Sequence, residues 1–164
     1  MHNVVMEKLL TRRNVATLCA AFCLVPAFGM TQGLPVPAPM FAAVGERPAI
    51  LYDGLSTKAN KIFILPRFHP VEVLVKLDKW TKIRDAENTI GWMENAFIGE
   101  RRYVQVAGII AEIRAAPNTS AAIVFEAQRA VLLEPTGPAV DAWLPVRHRD
   151  GQAGFVRITQ VWGA

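Results

Sequence analysis

The sequence predicts an all-β protein made of two small tandem barrels behind an N-terminal export signal. Three observations carry this. A string of the form W-x-x-[IV]-R-x6-G-[WF] occurs twice, at residues 80–92 and 143–155, without a gap and at an offset of 63 residues. Short apolar runs recur every 8–12 residues or so with turn chemistry between them, the spacing of small all-β domains. The first 29 residues are basic, then apolar, then small.

The repeat also runs upstream. Leu51-Tyr52 and Leu55-Ser56-Thr57 pair with Ile113-Arg114 and Pro117-Asn118-Thr119 at an offset of 62. A duplication at this period divides the 164 residues into two units, which we bound at 46–102 and 103–164. Units of about 55–60 residues lie near the lower limit for a domain that folds alone.

Lys8, Arg12 and Arg13 precede the apolar run from Val15 to Val25, which Pro26 breaks before Ala27-Phe28-Gly29. That order is the plan of a secretory signal peptide over residues 1–29. Cleavage after Gly29 is expected, with Ala42 or Ala43 as later alternatives and Met6 as an alternative start. The competing reading is an uncleaved anchor over residues 14–30, at the short edge of a membrane span. Thr11-Arg12-Arg13-Asn14-Val15 matches only part of a twin-arginine signal, and Cys19 and Cys23 lack a lipoprotein context. Ordinary secretion to the periplasm or beyond follows, with no integral membrane span after cleavage. Residues 30–45 read as a Pro-rich linker, because the alternating prolines of Gly33–Pro39 favour a stiff, extended spacer.

The net charge is +4, but residues 1–29 hold three of the basic and one of the acidic side chains, so the rest carries only +2. The remaining basic residues are scattered, and nucleic acid is not an expected partner. Both cysteines lie in the N-terminal segment, so the exported chain has no disulfide, thiolate nucleophile or cysteine metal site.

In the first copy, Val71–Val75 is a strand, Leu77-Asp78-Lys79 a turn, Trp80–Arg84 a strand, Ala86-Glu87-Asn88 a turn and Ile90–Met93 the returning strand. Tyr103–Val106, between the copies, alternates like a strand. In the second, Val131–Leu133 leads through the Pro135–Pro138 loop to Trp143–Arg147, and Asp150-Gly151 signals a hairpin into Ala153–Ile158. Ala121–Arg129 comes nearest to a helix, but its copy contains Pro66. Ile50, Ile64, Val73, Val75, Ile83, Ile90 and Phe97 are the expected core of the first barrel. Ile113, Val124, Leu132, Val146, Val156 and Val161 are that of the second. Gly91 and Gly154 fit a bulge or tight bend, and Pro145 suggests an edge strand or bulge.

Trp80-x-x-Ile83-Arg84, a polar turn, then Gly91-Trp92-Met93 resembles the end of a bacterial SH3 (SH3b) domain. So does Trp143-x-x-Val146-Arg147, Asp150-Gly151, then Gly154-Phe155-Val156. Ile113-Arg114-Ala-Ala-Pro117-Asn-Thr119 resembles the opening of that family. The resemblance spans residues 46–162. It implies a five-stranded SH3-like barrel per copy, and a binding or targeting module, often for cell-wall peptides.

Chemistry is sparse. His69 and His148 occupy non-equivalent positions, and no His-His or His-Glu spacing marks a metal site. No Gly-x-Ser-x-Gly string appears. The expectation is therefore a non-enzymatic protein with no cofactor. A rim pocket gathering Asp85, Glu87 and His69 would reopen the enzymatic reading. Binding favours exposed aromatic rings. The groove candidates are Tyr52, Asp53, Trp80, Glu87, Trp92 and Trp143, with Asp53 and Glu87 facing a cationic group. The alternative is structural: Trp80 and Trp143 open a strand, and Trp92 and Phe155 cap the barrel core. The expected partner is a cell-wall peptide or an extended segment of an envelope protein. The alternative is an accessory interaction subunit without a groove.

Overall fold

Short β-branched runs separated by turn residues give short strands here, joined mostly by tight connections. The computed structural model describes residues 38–164. The expected signal peptide, and residues 30–37 of the expected linker, lie outside them.

Six strands form the first sheet: β1 (Met40–Ala43), β2 (Ala49–Tyr52), β3 (Lys61–Leu65), β4 (Pro70–Lys76), β5 (Trp80–Arg84) and β6 (Ile90–Glu94). Seven form the second: β7 (Val104–Val106), β8 (Ile110–Arg114), β9 (Ile123–Gln128), β10 (Leu132–Pro135), β11 (Trp143–Arg147), β12 (Ala153–Arg157) and β13 (Val161–Trp162). All pairings are antiparallel. The orders are β1-β4-β5-β6-β2-β3 and β13-β7-β10-β11-β12-β8-β9. Renumbered from the start of each copy, the two orders are the same, with β13 added outside β7.

The correspondence reaches single residues. The 3-10 turns Asn95–Phe97 and Ile158–Gln160 follow the last hairpin at the offset of 63. The Val44–Ile98 bridge repeats the Val106–Val161 pair. The N–H of Phe68 donates to the Val44 carbonyl at 3.0 Å, and that of Ala130 to Val106 at 3.0 Å. Both donors sit in the left-handed region, at φ 66° and 68°.

Each sheet encloses its own core. Val44, Ala49, Leu51, Leu65, Val71, Ile83 and Met93 fill the first, with Phe97 packed against them. Val104, Val106, Ala111, Ile113, Leu133, Leu144, Val146, Val156 and Val161 are among those filling the second. Several expected core residues are displaced by one position. Ala49 and Leu51 face inward, so Ile50 faces out, and its cross-strand partner Ile64 is exposed beside it. Directly opposed residues share a face, so one inward neighbour sends both outward. Val75 and Ile90 are exposed and Val73 is half-buried. In the second copy Leu133 rather than Leu132 enters the core, and Val124 is exposed.

Two further expectations change, at residues 40–43 and at Pro145. Residues 40–43, placed in the linker, are β1, hydrogen-bonded to β4. Ile123–Gln128, the segment nearest to a helical pattern, is a strand like its copy Lys61–Leu65. Pro145 lies in an inner strand, just where pairing with β10 ends: its carbonyl accepts the Thr136 N–H at 2.9 Å. The N–H that proline lacks would point the same way, toward the Thr136 carbonyl, so the β10–β11 ladder stops at this pair.

Gly91 and Gly154 serve close approach. A Cβ on Gly91 would lie 2.6 Å from Leu51 Cγ and 2.8 Å from the Tyr52 carbonyl oxygen. On Gly154 it would lie 2.7 Å from both the Arg114 oxygen and Ile113 Cγ2. The bulges lie across from them, at Leu51/Tyr52 and Ile113/Arg114.

Both barrels belong to one compact unit, Pro37–Ala164. Their seam is aromatic and polar. Phe41 of β1 meets Trp162 of β13 edge to face at 5.1 Å, and Phe68 stacks on Tyr103 at 4.8 Å. Arg102 Nη2 donates to the Gly163 carbonyl at 3.1 Å.

Candidate functional site

The six groove candidates divide into groups. Tyr52, Trp80 and Trp92 come together on the first sheet. Tyr52 pairs with Trp92 in register, and its ring meets Trp80 edge to face at 5.6 Å. Such a contact adds about 0.5–1.5 kcal/mol beyond burial. Tyr52 is only 5% exposed, so little of it faces a ligand, while Trp80 and Trp92 are half-buried. Lys82 Nζ lies 5.8 Å from the Trp92 ring centroid.

Asp53 is committed to its own loop. Its two carboxylate oxygens accept the backbone N–H and side-chain amide of Asn60 at 3.0 and 2.8 Å. In the second copy Ala115 takes its place, and the loop is held instead by Arg114, which reaches the Ala121 carbonyl at 2.6 Å and also pairs with Glu112. Trp143 is buried, with the Arg157 guanidinium 5.2 Å over its ring. It is a packed wall of the second barrel rather than a groove residue. Glu87 is exposed and belongs to the seam.

The seam holds a cleft of about 900 Å³. Arg67, Arg101, Arg147 and Arg149 line it, with Glu134 as the one carboxylate among the lining residues. All four arginines are exposed. Arg147 approaches Glu134 at 4.0 Å. Among the described residues no carboxylate pairs with the other three. The floor is layered: the Arg67 guanidinium lies 5.6 Å from the Phe68 ring centroid, and Phe68 stacks on Tyr103. The Tyr103 side chain, then Glu134 and Glu46, raise the Arg101 pKa further. A planar guanidinium presents a fork of donors that matches a carboxylate or phosphate. The cleft therefore sets exposed guanidinium donors beside an aromatic floor.

Local structure explains the placement. Phe68 is thrown toward the seam from a left-handed turn, a conformation costing a non-glycine residue about 1–2 kcal/mol. At the far wall, Asp150-Gly151 turns as the sequence predicts, with Gly151 at φ 96°. His148 Nδ1 lies 2.9 Å from Asp150 Oδ1. The Gln152 backbone N–H first, and then His148, hold Asp150 below its ordinary value.

Beside the cleft lies a smaller cavity of about 380 Å³ bordered by His69, Asp85, Glu87, Thr89 and Gln105. One ring nitrogen of His69 and one carboxylate oxygen each of Asp85 and Glu87 lie within 4.8 Å of one another. Asp85 is buried, and its Oδ1 accepts the N–H groups of Glu87 at 3.0 Å and Thr89 at 2.7 Å. Burial pushes the His69 imidazole below its ordinary value, against the opposing pull of Glu87 and Asp85. These three residues converge in a pocket, the arrangement named above as reopening the enzymatic reading. The four arginines were not singled out as cleft residues from the sequence: Arg147 was read only as part of the repeated motif, and Arg67, Arg101 and Arg149 lie outside it.

Residues 108–163 match the model of a family described as the bacterial SH3 domain. No curated protein matches the chain. Among solved structures the chain is similar to NlpC2 from Trichomonas vaginalis, at 10% identity and a TM-score of 0.35, covering 78% of this chain and 49% of that one. NlpC1 from the same organism gives 12% identity and a TM-score of 0.36, over 79% of this chain and 47% of that one. An NlpC/P60 family protein from Bacillus cereus ATCC 10987 gives 13% and 0.34, over 75% and 56%. The chain spans about half the length of these structures.

Proposed function

We propose that the chain is an exported, non-enzymatic binding module of two tandem bacterial SH3-like domains. Its ligand is an anionic, extended cell-wall peptide or a similar segment of an envelope protein. The observation that carries this reading is the bacterial SH3 match over residues 108–163. The identical strand order of the first sheet supports a second copy of the same design. The arginine-lined seam cleft offers the ligand a place, since carboxylates along a peptide complement its charge.

The test is retention of residues 30–164 on purified sacculi at about 150 mM salt, where weak surface-charge binding is screened. Replacing Arg101 and Arg149 together by Gln should abolish retention, and Trp80→Ala should leave it. Retention lost only by Trp80→Ala would move the site to the aromatic strip of the first barrel. No retention by the parent chain would sink the cell-wall reading. The accessory-subunit reading would then gain from the exposed apolar edge strands, Ile62, Phe63 and Ile64 on β3 and Ile123 and Val124 on β9.

A further inference from the structure

We propose that His69, Asp85 and Glu87 form a binding site for a divalent transition-metal ion at the seam.

The donors are largely pre-positioned. His69 lies in the turn entering β4, where its carbonyl accepts the Val44 N–H at 2.9 Å and its own N–H donates to Pro66 at 3.3 Å. Asp85 and Glu87 lie on the hairpin turn between β5 and β6, closed by the Asp85 N–H bond to Thr89 at 3.1 Å. The two backbone donors on Asp85 Oδ1 orient its carboxylate and leave Oδ2 free.

An independent feature points to a ligand. Among the described residues, His69 Nε2 is shut off from solvent and has no hydrogen-bond partner. A buried polar atom without a partner costs about 1–3 kcal/mol, and such an atom calls for an explanation, an unseen ion included. A Lewis acid would satisfy it.

The donor set selects the ion. One imidazole nitrogen with two carboxylates carries two negative charges, which balances a divalent cation. Imidazole suits zinc, iron, nickel or copper, whereas calcium takes oxygen ligands. In a four-coordinate site donors about 2.0–2.2 Å from the ion stand about 3.3–3.6 Å apart. The 4.8 Å limit on the present spread therefore leaves up to about 1.5 Å to close. Glu87, exposed at its turn, supplies that movement. Three protein ligands leave a position for water, as in open metal sites, and the cavity has room for it.

Gln105 of β7 supplies the link to the other barrel. Its Nε2 donates to Glu87 Oε1 at 3.4 Å. Amides and carboxylates behind a ligand orient it, so the ion would couple the first barrel's turn to the second barrel's first strand.

The test is titration of the chelator-stripped full chain with Co²⁺, followed by visible absorption, with Zn²⁺ as competitor. One equivalent should give nitrogen/oxygen-type bands without thiolate charge transfer, which separates this site from Cys19 and Cys23. Glu87→Gln and His69→Gln should each weaken that binding by at least about tenfold. His148→Gln should not. Glu87 is exposed, so its variant reports on the ion rather than on folding. No one-equivalent band, a purely thiolate-type spectrum, or unchanged affinity in Glu87→Gln would overturn the proposal. Any of these leaves the sacculus experiment untouched.

Discussion

Gly154→Ala tests whether the curl of the second sheet depends on backbone contact between β8 and β12. The added methyl would lie 2.7 Å from the Arg114 carbonyl oxygen and 2.7 Å from Ile113 Cγ2. The oxygen is backbone, so no rotamer change relieves the overlap. Overpacking of this kind costs about 1–3 kcal/mol. Separating the strands also strains the Phe155–Arg114 pairing that joins them, and each weakened hydrogen bond is worth about 0.5–1.5 kcal/mol. Against this, alanine gains about 0.4–1 kcal/mol through the unfolded chain. The balance centres on a destabilisation of about 2 kcal/mol, or a fall in Tm of about 5–10 °C for a unit of this size. Urea denaturation followed by circular dichroism measures it. Gly91→Ala should behave alike, because its methyl meets the Tyr52 oxygen at 2.8 Å. Gly108→Ala is the control, with nothing nearer than 3.7 Å. If Gly154→Ala stays within about 0.5 kcal/mol of the parent, the glycines are not there for close approach and the reasoning fails.

Ala130 occupies a left-handed position at φ 68°, so Ala130→Gly should stabilise the chain by about 0.5–1 kcal/mol, visible as a higher urea midpoint. Thr81 is fully buried and donates to Asn95 Oδ1 at 2.6 Å, while Asn95 Nδ2 holds the Leu77 and Asp78 carbonyls. Asn95→Ala should therefore cost about 1–3 kcal/mol in chemical denaturation, and Thr81→Val added to it should recover part of the loss. The second copy already carries that apolar solution, with Leu144 and Ile158 at the equivalent positions. The Gln152 N–H, and then His148, hold the folded Asp150 carboxyl below the ordinary aspartate value, so its contribution to the hairpin is present above the unfolded value and is lost as pH falls through the folded one. Its carboxyl carbon, titrated by NMR, should show a midpoint below that of an unfolded-chain aspartate, and His148→Gln should raise that midpoint only in part, since the Gln152 N–H remains.

The repeat was legible because it is written in residues that geometry leaves no choice about. Gly91 and Gly154 admit no side chain, Trp80 and Trp143 open the same strand, and Asp150-Gly151 can turn a hairpin whatever surrounds it. From these the sequence by itself determined an all-β chain with duplicated halves. It did not determine which alternate residue faces inward. Ile50 and Leu51 are equally apolar, and only the bulge at Leu51/Tyr52 and the partner strand decide between them. It also misplaced β1, whose Met-Phe-Ala-Ala run is strand only because β4 pairs with it.

The site was less legible still. Tyr52 and Asp53 looked available for a ligand, but edge contact with Trp80 covers the first and Asn60 occupies the second. The cleft arginines at positions 67, 101, 147 and 149 come from segments far apart in the chain and converge through the packing of two barrels. The trio at 69, 85 and 87 was named from the sequence, but only the β4-β5-β6 order of the first sheet brings the His69 turn beside the Asp85–Glu87 hairpin. Tertiary structure alone decided that juxtaposition. Local propensity can place each turn, but only strand order and the seam set which turns face each other.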